Sequence, residues 1–183
     1  LGYMMAYAIA RADPEWRTLL LFLVILPFAT SFLIRVYAWI GLLSNFGTIN
    51  NLLMSLGLTH KPLPLLYNSF SVCIAIVYCY LPFMILPIYA TLVKIDLTYL
   101  EAAYDLGCRP WRALWSITIP LSMPGIIAGC VLVFIPAVGE FVIPELVGGP
   151  ETMLIGRILW TEFFYNRDWP MACTIAVTML VVL

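Results

Sequence analysis

Six charged residues stand where this chain could do chemistry. Glu101, Asp105, Arg109 and Arg112 crowd into one short stretch, "EAAYDLGCRPWRALWSITIPL", with Gly107 and Pro110 between them. Arg35 and Glu140 each interrupt an apolar run. Neither set has the form of a catalytic centre. His60 is the only histidine. It has no metal-ligand partners at motif spacing and reads as a solvated loop residue. No Ser/His/Asp arrangement is readable, so an intramembrane protease or a phosphotransferase fits poorly. No G-x-x-x-x-G-K-[ST] loop is present, so this chain cannot itself cradle the phosphates of ATP. What remains for these charges is to cap helices, to pair, or to meet a partner or a solute.

The elements that carry them are apolar. Of 183 residues, 63% are hydrophobic and 10% charged, and mean hydropathy is +1.01. Soluble domains are about half apolar and about a quarter charged, so the balance is that of an integral membrane protein. The net charge of −1 gives no field that would attract nucleic acid. The chain starts and stops inside apolar runs, which reads as part of a longer subunit. Cys73, Cys79, Cys108, Cys130 and Cys173 include no C-x-x-C pair. They read as small packed hydrophobes rather than as a redox or metal set.

The hydropathy pattern predicts an all-α chain of spanning helices, each about 20 residues long. Leu1 to Ala10 ends one span, and Arg11 to Arg17 makes a charged turn. Spans are expected over Thr18–Ile34, Ser69–Leu92 (with Pro82 and Pro87 breaking its regularity) and Met123–Ile143. Trp169 opens a last, unfinished one. Gly41–Asn68 and Pro144–Asp168 read as loops, with a short interfacial helix in "INNLLMSLGL". Five Lys or Arg residues on the side of Lys94 and Arg109, against four on the other, favour the first side as cytoplasmic.

Residues 94–120 form the insert between two spans. Thr98-x-x-Glu101 has capping-box form. Gly107 suits the left-handed residue that closes a helix, and Pro110 the first position of the next. A second helix is expected to end at Ile119, before Pro120. Each limb would be roughly 9 residues, or about 13 Å, too short to cross a bilayer. Two readings of this helix-turn-helix elbow stand. It is an amphipathic loop resting on lipid, or a rigid knob offered to a soluble partner.

Arg35 and Glu140 also admit two readings. Measured from Thr18 and Met123, both fall about 25 Å along their helices, at similar depth. They pair or snorkel, or Glu140 faces a path for a cationic solute. Tyr37, Trp39, Tyr78 and Tyr80 are either core or interfacial aromatics, or cation–π surfaces for an ammonium group. The outer segments add Glu145, Glu151, Glu162 and Asp168 against Lys61, Arg157 and Arg167.

Glu101-Ala102-Ala103, Gly107, Ile117 and Pro120-Leu121 resemble the EAA motif of permease subunits of bacterial ATP-binding-cassette importers. "TSFLIRVYAWIGLLSNFGTINNLL", "YLPFMILPIY" and "LVFIPAVGEFVIPELVGG" extend the resemblance to putrescine/spermidine permeases over nearly the whole chain. The resemblance implies a transmembrane helical bundle of the type I importer kind, a single permease domain over 1–183 taken from a six-span subunit of the inner membrane. It implies that Glu101, Ala102, Ala103, Asp105, Gly107, Arg109 and Pro110 lie in coupling helices that dock on a separate ATPase dimer. It further implies a sister permease, a periplasmic substrate-binding protein, a polyamine cargo, contact with membrane lipid, and no cofactor on this chain. Permeases for phosphonate, sulfate or ferric iron, and a channel or secondary transporter, are the alternatives.

Overall fold

A computed structural model describes residues 1–59 and 61–183; the reading of His60 lies outside the described residues. Those residues form helices and no strand. The helices are α1 (Gly2–Arg11), α2 (Pro14–Ile25), α3 (Phe32–Leu43), α4 (Thr48–Ser55), α5 (Ser69–Leu92), α6 (Thr98–Asp105), α7 (Pro110–Ala113), α8 (Ile119–Val138), α9 (Val142–Val147), α10 (Ile155–Trp160) and α11 (Trp169–Val182). They divide into two compact units, Leu1–Ala29 with Tyr80–Phe134 and Thr30–Cys79 with Ile135–Leu183.

In the first unit, Ala6 and Ile9 of α1 pack with Ile85, Ile88 and Leu92 of α5. Helix α8 approaches α5 closely through Gly125 and Gly129, four residues apart. A Cβ on Gly125 would lie 2.7 Å from the Pro87 carbonyl oxygen, and one on Gly129 would lie 2.9 Å from the Met84 sulfur. Small residues at this spacing let two apolar helices gain dispersion contacts where water supplies no hydrophobic drive. The Tyr3 hydroxyl and Ser122 hydroxyl are 3.2 Å apart across α1 and α8. Arg17 donates to the Ala10 and Ala12 carbonyls at 3.1 and 3.2 Å, so it closes the end of α1.

In the second unit α3 packs on α4 and α9, and α10 packs on α9 and α11. Its interior includes Val36, Leu43, Val72, Ile143 and Val147. The buried Ser71 hydroxyl donates to the Val147 carbonyl at 2.9 Å.

Several expected boundaries move. The charged turn shrinks to Ala12–Asp13, because Pro14 starts α2 with the φ that a first helical turn needs. Thr18–Ile34 is not one span. Pro27 has no N–H to continue α2, which tightens into a 3₁₀ turn at Leu26–Ala29 before α3 begins. The Met123–Ile143 span becomes α8, ending at Val138, and a separate α9. Residues 144–168 hold parts of α9 and α10 and a π-helical stretch at Thr161–Asn166. Helix α5 matches the expected Ser69–Leu92 but stays continuous through Pro82 and Pro87. Among the described residues, three stretches are long and apolar enough to cross a membrane: Phe32–Ser55, Ser69–Leu92 and Pro110–Val138. The first contains the turn Ser44–Gly47 that joins α3 to α4.

Candidate functional site

The elbow is built by one cap and one turn. The Thr98 amide donates to Asp96 Oδ1 at 3.0 Å, so Asp96 rather than Thr98 caps α6, and Glu101 is left exposed. The expected capping box does not form because α6 starts at Thr98 itself, one position too early for Thr98 to stand as the residue that caps it. The Thr98 amide and hydroxyl hold the Asp96 carboxyl below its ordinary range. At the other end, the Cys108 amide bonds the Ala103 carbonyl at 2.9 Å and the Gly107 amide bonds the Tyr104 carbonyl at 2.9 Å. Gly107 sits at φ +78° between them. This pair of bonds is the Schellman closure, and it needs a residue that tolerates a left-handed backbone.

Arg109 then takes an extended backbone, and Pro110 opens α7. The second limb does not stop at Ile119. It passes through a π-helical turn at Leu114–Thr118 and continues past Pro120 into α8, one helix from Pro110 to Val138. A π turn widens the hydrogen-bond register, which eases entry of a proline that has no N–H to give.

Ala103 and Ala113 are buried inside the bend. Glu101, Ala102, Asp105, Gly107, Arg109, Pro110 and Arg112 are exposed. None of Glu101, Asp105, Arg109 and Arg112 joins an ion pair among the described residues. Leu106, at the apex, is 89% exposed. A rigid, exposed bend with unpaired charges and one protruding leucine is suited to docking in a cleft of complementary shape.

A second cluster surrounds Glu140. The chain breaks after Val138, and Glu140 Oε1 accepts the amides of Val142 and Ile143 at 2.9 and 3.2 Å. The carboxylate thus holds the start of α9, where helix amides lack internal partners. Gly156 at the start of α10 presses on this break: a Cβ there would lie 2.7 Å from the Glu140 carbonyl oxygen. Arg35 lies on the buried face of α3, with its guanidinium 5.8 Å from the Phe32 ring centre. Glu140 and Arg35 are both nine-tenths buried and both lie within electrostatic reach of Cys79. Neither stands 25 Å along an unbroken helix, because α2 ends before Arg35 and α8 ends before Glu140.

The aromatic candidates separate. Trp39 and Tyr78 meet edge to face at 5.5 Å. Tyr37 is 57% exposed and points away from the buried Arg35–Val36 face. Tyr80 is buried and lies beside Phe83, both of them in the first unit. Beside Glu140 stands a stack that composition did not reveal: Phe141 on Trp160 at 4.3 Å, and Trp160 on Phe164 at 4.1 Å.

Several outer charges turn out to be structural. Arg157 pairs with Glu145 at 2.9 Å and donates to the Gly149 carbonyl at 2.9 Å, pinning the Gly148-Gly149-Pro150 turn. Asn166 donates to Glu162, and Asp168 caps α11 through the Met171 amide. Glu151, Lys61 and Arg167 are exposed. Sequence reasoning also passed over Asn50. It is fully buried and exchanges two hydrogen bonds with the backbone of Leu63, both 3.0 Å long. An Asn inside an amphipathic octet gives no sign that it will mimic a strand edge.

Residues 1–183 match the family described as binding-protein-dependent transport system inner membrane component. The chain is similar over its whole length to the spermidine/putrescine transport system permease protein PotB of Haemophilus influenzae, at 40% identity, and to that of Escherichia coli K12, at 42%. It spans 64% and 66% of those relatives, just under two thirds of their length. It is also similar, at 20% identity and TM-score 0.77, to a solved bacterial ABC transporter involved in the import of the acidic polysaccharide alginate; the match covers 99% of this chain and 66% of that one. That likeness concerns the fold.

Proposed function

Because the chain belongs to the family of binding-protein-dependent transport system inner membrane components, we propose that it is the membrane-spanning translocation subunit of an ATP-driven polyamine importer. The observation that carries the cargo class is the 40% and 42% identity, along the whole length of this chain, to permeases named for spermidine and putrescine. On this reading the subunit is a multi-pass protein of the bacterial inner membrane. It works beside a sister permease, receives cargo from a periplasmic binding protein, and binds no cofactor. ATP is hydrolysed on a separate ATPase dimer.

The elbow is the point where that ATPase acts. Glu101, Ala102, Asp105 and Arg109 present a mixed-charge surface, Ala103 seats the bend, and Gly107 with Pro110 fixes its angle. A stiff bend can pass a rigid-body displacement into the helices that flank it, because packed elements move as units rather than deforming continuously. Catalysis of transport is then a change in which side of the membrane the path faces.

Glu140 is the carboxylate that the cargo meets. A polyamine carries ammonium groups spaced by methylenes, and a low-dielectric carboxylate beside aromatic faces recognises that pattern. Arg35, Tyr37, Trp39 and Tyr78, of the same unit as Glu140, remain candidates along the same path. Binding there must stay weak, since a solute that cannot leave is not transported.

The test is uptake into proteoliposomes holding the full complex, with labelled putrescine and spermidine compared with phosphonate, sulfate and ferric iron. ATP-dependent polyamine uptake is expected. Uptake of one of the other solutes alone would overturn the cargo and leave the importer. Uptake without any ATPase would overturn the importer in favour of a channel or secondary transporter.

A further inference from the structure

We propose that Trp111, Arg112 and Trp115 form a binding surface for the headgroup of an anionic phospholipid, in the leaflet into which the elbow opens. The helix Pro110–Val138 has 29 residues, about 43 Å at 1.5 Å per residue, whereas the hydrocarbon core is about 30 Å thick. About 13 Å of this helix therefore lies outside the hydrocarbon.

Composition decides which end holds most of it. From Leu121 to Phe134 the helix carries no charge and exposes Leu121, Met123, Ile127, Val131, Leu132 and Phe134. Trp115 precedes Phe134 by 19 residues, about 28 Å, which nearly matches the hydrocarbon thickness. Trp111 lies four residues further out, about 6 Å, and the headgroup layer on each side is about 5–7 Å deep. Trp115 thus falls within one headgroup layer, and Trp111 lies at its outer edge.

Their chemistry suits that layer. Trp111 is 68% and Trp115 58% exposed. Their rings meet edge to face at 6.1 Å, so the pair offers a pre-ordered amphipathic surface with indole N–H donors. Arg112 is exposed between them in sequence and joins no ion pair among the described residues. A guanidinium fork matches phosphate oxygens in bidentate geometry and does not lose its charge. The buried stripe Thr118, Ser122, Gly125 and Gly129 faces the protein instead. On this assignment the two limbs of the elbow have different partners: α6 is left for a soluble protein, and the Pro110–Thr118 limb is seated in lipid.

The inference rests on membrane placement and not on the cargo, so its failure would leave polyamine uptake untouched. The full complex is placed in nanodiscs of phosphatidylcholine, alone or with roughly a third phosphatidylglycerol, carrying p-benzoylphenylalanine at position 111 or 115. After illumination, mass spectrometry should find a lipid adduct, with phosphatidylglycerol favoured at least threefold over its share. Arg112→Gln should abolish that preference while keeping the adduct. Adducts to the ATPase or sister permease alone, or lipid adducts with no preference, would overturn the proposal. If a probe prevents assembly, tryptophan fluorescence of the unprobed complex asks the same question. Dibromo-phosphatidylglycerol should quench more than dibromo-phosphatidylcholine, and the difference should vanish in the Trp111→Phe/Trp115→Phe variant. Equal quenching by the two lipids would equally overturn it.

Discussion

The Cys108 amide reaches back to the Ala103 carbonyl at 2.9 Å, with Gly107 held at φ +78° between them. Nothing lies within 4 Å of where a Cβ on Gly107 would stand, so space does not forbid a side chain there. The backbone does, by about 1–2 kcal/mol for an ordinary residue. Gly107→Val should therefore insert in the membrane normally yet uncouple ATP hydrolysis from uptake, whereas Gly107→Asn should keep most of the coupling. The ratio of ATP hydrolysed to solute imported in proteoliposomes checks this; normal coupling in the valine variant would count against the role of the elbow.

Asp96 should make the start of α6 sensitive to acid. Its carboxyl titrates below the ordinary value because the Thr98 amide and hydroxyl favour the charged form. The folded value lies below the unfolded one, so the contribution is present at neutral pH and is lost as pH falls through the folded value. Carboxyl NMR of labelled protein should show a midpoint under the usual aspartate value, shifted upward in Thr98→Val. Asp96→Ala should speed hydrogen exchange across Thr98–Asp105 at neutral pH.

Glu140 has two separable duties, and two substitutions separate them. Glu140→Gln keeps an oxygen for the Val142 and Ile143 amides but loses the charge. It should lower polyamine uptake at least tenfold, a barrier change of about 1.4 kcal/mol, with near-normal protein levels. Glu140→Ala also removes the cap of α9 and should cost a further 0.5–2 kcal/mol or so of stability. A double-mutant cycle with Arg35→Met, read as thermal stability, should be additive if Glu140 serves the cargo; coupling would mean that its charge answers to Arg35 instead.

Gly125 should be intolerant of even one methyl. Its Cβ would press on the Pro87 carbonyl oxygen and on Thr91, and overpacking of this kind costs about 1–3 kcal/mol. Gly125→Ala should lower the melting temperature of the detergent-solubilised complex, while Gly41→Ala, with open space around it, should not.

What the sequence disclosed follows from how local each signal is. Ser69–Leu92 was readable because a long apolar run needs no partner to be recognised. Gly107 and Pro110 were readable because each answers a backbone requirement within its own turn. The cap of α6 was not, since Asp96 and Thr98 are both good capping residues and only the helix start decides between them. The passage of the second limb through Pro120 was hidden for a similar reason: a shift from i+4 to i+5 bonding leaves no compositional trace. Gly125 and Gly129 show their spacing plainly, but the helix they fit was known only once α5 lay beside them. Asn50 and the Phe141–Trp160 stack depend on contacts from distant parts of the chain, which no local pattern encodes.

The π turn at Leu114–Thr118 has one further consequence. A π turn is an α-helix carrying one residue more than its neighbours need, and each residue of a regular helix advances the azimuth by about 100°. Removing Ser116 would let the strand of hydrogen bonds close as ordinary α-helix. The residues on both sides of the deletion would keep nearly their present azimuth, because the widened turn takes up its extra residue within the same rotation. Straightening the turn with Ser116 still in place is what would swing Glu101 and Leu106, by about 100°, and lengthen the helix by about 1.5 Å. The state of this one turn thus sets the angular phase between the span and the bend, independently of how long either one is.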